Sequence, residues 1–181
     1  QLQRYAHGID PRPVISEPDD AKSYSQQETF DENVSDRAFV AKVLRGMADD
    51  LMSKLRRDGK AGRTITVRVR YADFTDDTHG HTLTTGTDLE TDIYPLLPGL
   101  LRGAWRKSAP LRLTGLRLSN IVDPAVQTEL KLDGDTARQS KQREAARLLD
   151  QLKARNLPLV RAGSLTREKP ASRAGEEVRE R

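Results

Sequence analysis

Residues 63–74 read RTITVRVRYADF, and this run limits the fold more than any other feature of the chain. Ile65, Val67, Val69 and Tyr71 alternate with Thr64, Thr66, Arg68 and Arg70. A period of two is that of a β-strand with one apolar and one polar face. A slip of one residue would drive two arginines into the core, so the pairing register is strongly specified. The chain must therefore build a sheet covered on one side only. The cover is supplied by residues 35–58, where Val40, Leu44, Met47, Leu51 and Leu55 recur at steps of three and four, with Val43 beside them. Ser35 is the expected N-cap, Asp36 lies in the first turn, and Gly59 is placed to end the helix.

Three further strands complete the sheet. Residues 22–30 (KSYSQQETF) place Tyr24 and Phe30 on one side and Ser23, Ser25, Gln27 and Thr29 on the other. Residues 78–85 (THGHTLTT) form a hairpin partner to the central strand, weakened by Gly80. In residues 110–120 (PLRLTGLRLSN), Leu111 and Leu113 are out of phase with Leu116 and Leu118. A bulge at Gly115 would bring all four leucines to one face and leave Arg112, Thr114, Arg117 and Ser119 on the other. Residues 88–105 carry an apolar stripe interrupted by Pro95 and Pro98. A helix there is either kinked or begins near Pro95. The order is β-α-β-β-α-β over residues 22–121: an α+β fold with a four-stranded, antiparallel-rich sheet and two helices on one face, ferredoxin-like or split.

Residues 1–21 read as a helix end running into a proline-containing linker. Residues 122–181 form a tail with a short helix at 141–155, striped by Ala145, Leu148, Leu149 and Leu152, and a charged end expected to be disordered. The first residue is Gln1, so either an initiator Met is lost or the chain is part of a longer protein.

Composition excludes several classes. There are no cysteines, hence no disulfide scaffold and no thiol nucleophile. No apolar run nears the roughly 20 residues that span a bilayer, so no membrane role is expected. With three histidines, a metal enzyme built on His79, His81 and Asp77 lacks a third well-placed ligand. Asp73, Asp76 and Asp77 gather at a turn rather than on an apolar strand. Net charge is +4, too small to identify a partner unless the cations share a face. The expected polar face collects Ser23, Ser25, Thr64, Thr66, Arg68, Arg70, His79, His81, Arg112 and Arg117 and is poor in carboxylates, and Lys22 at the start of the first strand is counted with them as a candidate anion contact. Guanidinium forks and short hydroxyls are the donors that hold phosphate.

In this order, KSYSQQETF, RTITVRVRYADF, THGHTL and PLRLTGLRLSN resemble the little-finger domain of Y-family DNA polymerases of the DNA polymerase IV group. YAHGIDPRPV is similar to the end of that family's thumb, and KQREAARLLDQLKARNLPLVRAGSL to the segment that ends many bacterial members. The resemblance implies a sheet that grips primer–template DNA by its phosphates in an error-prone translesion polymerase. It also implies a bacterial, cytoplasmic, nucleoid-associated and monomeric setting. The Mg2+-binding carboxylates would lie in a palm that has no counterpart in these residues, and no cofactor is expected in this chain. His79 and His81 stand where the family usually has arginine. Gln127, Leu130 and Leu132 in QTELKL resemble a sliding-clamp-binding peptide. The competing reading is a stand-alone nucleic-acid-binding module without sequence preference. An RNA-recognition sheet would expose aromatics on its central strands, and here those residues point with the apolar set.

Overall fold

The computed structural model describes residues 2–11, 21–107, 109–123 and 135–155. The elements are α1 (Leu2–Ala6), β1 (Ser23–Val34), α2 (Arg37–Arg57), β2 (Ala61–Tyr71), β3 (Asp76–Thr87), α3 (Glu90–Ile93), α4 (Leu97–Ala104), β4 (Leu111–Val122) and α5 (Asp135–Ala154). The sheet order is β1-β4-β2-β3, and every neighbouring pair is antiparallel. The β1-α2-β2 crossover steps over β4, and β3-α3-α4-β4 steps over β2. Both crossovers are therefore split, and β2 and β4 occupy the centre. Gln127, Leu130 and Leu132, and residues 166–181, lie outside the described residues.

The helix-bearing face of the sheet is the core. Val40, Leu44, Met47, Leu51 and Leu55 of α2 pack with Ile65, Val67, Val69 and Tyr71 of β2 and Leu111, Leu116 and Leu118 of β4. Each large aliphatic residue removed from water there contributes roughly 1.5–3 kcal/mol. The N-cap of α2 is Asp36 rather than Ser35: its carboxylate accepts from the amides of Ala38 and Phe39 at 2.8 and 3.2 Å. Gly59 ends the helix region at φ 66°, a left-handed conformation that glycine adopts without steric cost. The prolines divide the second helical region into α3 and α4, with Pro98 in the first turn of α4, where its missing amide costs no helix bond.

The bulge in β4 is not at Gly115. Arg70 pairs with Leu113 and Tyr71 with Leu111, so Arg112 is the extra residue. Thr114 consequently faces the core opposite Val69 and is fully buried, while Leu113 turns to the polar face opposite Arg70. The polar hydroxyl of Thr114 is satisfied by the carbonyl of Arg68 at 3.5 Å. The tail helix is also more than an appendage. Nε and Nη2 of Arg56 donate to both carboxylate oxygens of Asp150 at 2.7 and 3.0 Å, and Arg143 donates to Asp88 at 3.0 Å. Ala146 is buried and Leu149 and Leu152 are half-buried, whereas Ala145 and Leu148 are exposed, so α5 docks through ion pairs together with only part of the expected stripe.

Candidate nucleic-acid interface

The register fixes which side chains share the open face of the sheet, since directly paired residues point the same way. Across the face run Ser25–Arg117–Thr66–Gly80 and Gln27–Gly115–Arg68–Thr78, with Ser23, Ser119, Thr64 and Thr82 in the row beyond. Between these rows lies a shallow groove of about 490 Å³ bordered by Ser23, Ser25, Gln27, Thr66, Arg68 and Arg117. Gly115 forms its floor for a steric reason: a Cβ there would sit 3.2 Å from both the Gln26 carbonyl and the Gln27 Cβ. The hydroxyls of Thr64 and Thr82 meet at 2.9 Å, and Asn120 donates to Thr64 at 2.7 Å, so Thr64 is already engaged.

The arginines differ in the partners they already hold. Arg117 is exposed and has no carboxylate partner among the described residues. Arg112 is exposed at the sheet end, its guanidinium 5.0 Å from the centre of the Phe74 ring. Arg68 and Arg70 converge on Asp76, which lies on the same face directly across from Arg70. Hydrogen bonds from Arg70 and then Arg68 hold the Asp76 carboxyl far below the usual aspartate range. The face is thus not free of carboxylates. The other two turn acids are spoken for: Asp73 accepts from the amide and hydroxyl of Thr75 at 2.9 and 2.6 Å, and Asp77 accepts from the Tyr71 hydroxyl at 3.1 Å. No group of three or more acidic or histidine side chains suited to a metal occurs among the described residues.

His79 and His81 do not join the arginines. They pair with Val67 and Ile65, which point into the core, so both histidines lie on the helix-bearing side of edge strand β3. A Cβ at Gly103 would fall 2.3 Å from the His79 ring, which places that ring against α4. The hairpin turn sets the side that they take. Phe74 adopts φ 64° and its amide bonds the Tyr71 carbonyl at 3.0 Å, a left-handed turn residue that a phenylalanine gives no reason to expect. Lys22 is exposed just before β1, beside the open end of the groove at Ser23.

The split α+β architecture, with its hydroxyl- and arginine-lined open face, has a counterpart among solved structures. Over 67% of this chain and 34% of the other, it superposes on the Y-family DNA polymerase chimera Dbh-Dpo4(243-245)-Dbh with a TM-score of 0.52 at 23% identity, a likeness of fold. Residues 21–132 match the impB/mucB/samB family C-terminal domain. A DNA polymerase IV of Opitutus terrae is 48% identical over 155 residues, covering 86% of this chain and 38% of that protein. One from Desulfatibacillum aliphaticivorans is 32% identical over 149 residues, covering 82% and 37%. The chain belongs to the impB/mucB/samB family and carries its C-terminal domain. It spans well under half the length of the curated relatives it matches.

Proposed function

We propose that this chain is the DNA-gripping part of an error-prone translesion DNA polymerase. It holds primer–template DNA by the phosphate backbone, without reading sequence. The observation that carries the reading is the groove on the open face, with Arg117 and Arg68 at its sides and Ser23, Ser25 and Thr66 as short donors. Family membership and the DNA polymerase IV names of the relatives support it. Lys22 and Arg112 extend the cationic border at the two ends. A base-stacking RNA module is disfavoured, because Tyr71, the aromatic residue of β2, is buried in the core. Catalytic Mg2+ belongs, on this reading, to the palm of the polymerase and to no residue of this chain.

Arg117→Ala should weaken binding to unrelated duplexes alike and lower the slope of log affinity against log salt by about 0.9, the loss of one phosphate contact. Fluorescence anisotropy over a salt series measures both quantities. An unchanged slope, or a loss confined to one sequence, would remove the groove from the interface.

Tethering to a sliding clamp is the second part of the proposal. Its support is the QTELKL sequence, placed just after the last strand. An extended peptide with Leu130 and Leu132 in an apolar groove and Gln127 bonded to backbone is a known recognition mode. Such a peptide orders itself on binding, so its own affinity should be modest and its value should come from raised local concentration. Changing Gln127, Leu130 and Leu132 to alanine should abolish clamp capture and leave clamp-free DNA affinity intact. Normal clamp capture by the triple variant would refute the assignment.

A further inference from the structure

Arg68 and Arg70 are neighbours on one face of β2, and both bond Asp76, but they do so differently. Arg70 donates through Nε and Nη2 at 2.8 and 2.9 Å, which commits one whole edge of its guanidinium fork. Arg68 gives only Nη2, at 2.6 Å, and keeps Nε and Nη1 for other acceptors. Arg68 borders the groove, and Arg70 does not. On β4 the partner of Arg68 is Gly115, the groove floor, whereas the partner of Arg70 is the buried Leu113. Arg70 therefore stands beyond the end of the groove, beside an apolar residue. Asp76 is directly opposite it and diagonal to Arg68.

From this geometry we infer that Arg70 is a positioning residue and not a phosphate contact: it neutralises Asp76, so that Arg68 keeps its charge and free donors for the DNA backbone. The inference rests on the groove being the DNA interface. Without Arg70, Asp76 has Arg68 as its remaining arginine partner. The carboxylate would then take that fork for itself and repel phosphate from the groove. A carboxylate and a phosphate oxygen compete for the same planar donors. Asp76 is a negative charge built into a phosphate-binding face, and Arg70 is its counter-ion.

The test is a double-mutant cycle in the full chain, read as duplex-DNA affinity and salt slope by anisotropy, with thermal melts confirming that each variant is folded. Arg70→Ala should weaken binding by roughly tenfold and lower the salt slope by about 0.9, as though one phosphate contact were gone. Asp76→Asn should bind at least as tightly as the parent. The Arg70→Ala/Asp76→Asn double variant should return to within about twofold of the parent and recover its slope. A double variant as weak as Arg70→Ala would mean that Arg70 itself holds phosphate, and would overturn the inference. Weakened binding by Asp76→Asn would also overturn it. Arg68→Ala and Arg117→Ala separate the two levels of the argument. If neither affects binding, the groove reading fails; if both weaken it and rescue is absent, only the role of Arg70 fails.

Discussion

At the scale of single residues, what matters on the open face is the partner each charge already has. Arg117 has no carboxylate partner among the described residues, and Arg68 and Arg70 share Asp76. Residue type alone could not distinguish them, because alternation assigns a face to a side chain and says nothing of what lies across the strand gap. The two histidines make the same point with a measurable consequence. Their pairing with Val67 and Ile65 puts them on the side of the sheet away from the groove. We expect duplex affinity, measured by anisotropy, to be unchanged by His79→Ala and His81→Ala together. A clear loss of affinity in the double variant would return them to the interface.

At the scale of elements, the strands and long helix were legible from their periods, and their ends less so. Helix α2 was readable from its apolar stripe, but its cap moved by one residue, because Ser35 and Asp36 are both competent caps and only the turn geometry selects between them. Asp36→Ala should cost about 1 kcal/mol in denaturant unfolding, and Ser35→Ala close to nothing. An equal cost for both would contradict the cap assignment. The β4 bulge was legible as a phase break between leucine pairs, but its position was not. Glycine is the usual signal for a bulge, yet Gly115 is used here for the close approach of β1, and the extra residue is Arg112. The prolines announced a break in the second helical region, since a missing amide is a local fact, but not that a short helix α3 would precede the break or that α4 would begin only at Leu97.

At the scale of the whole molecule, α5 is held by an ionic network buried between α2, α3 and the tail. The Arg56 side chain is 2% exposed and Glu90 3%, and they bond at 2.6 Å, with Asp150 and the Asp88 carbonyl completing the set. Burial disfavours the charge of Arg56, but the hydrogen bonds it donates to Asp150 and Glu90 outweigh that, so its pKa is raised. Arg56→Ala would strand the buried Glu90 carboxylate and should destabilise the protein by about 3–5 kcal/mol. Arg57→Ala, which breaks an exposed pair with Asp58, should change stability by less than about 1 kcal/mol. Comparable urea midpoints for the two variants would refute the network's importance. DNA affinity should survive loss of α5 docking, because α5 packs on the helical side and the groove is on the other. By itself, the sequence determined the β-α-β-β-α-β order, the one-sided core and the cationic character of the open face, because periodicity and charge are local properties carried along the chain. Only the tertiary structure decided the β1-β4-β2-β3 order, the face taken by His79 and His81, the capture of Asp76 and the docking of α5. Each of these depends on which residues meet across a turn or between distant segments, and a left-handed Phe74 or a buried Arg56 leaves no periodic trace.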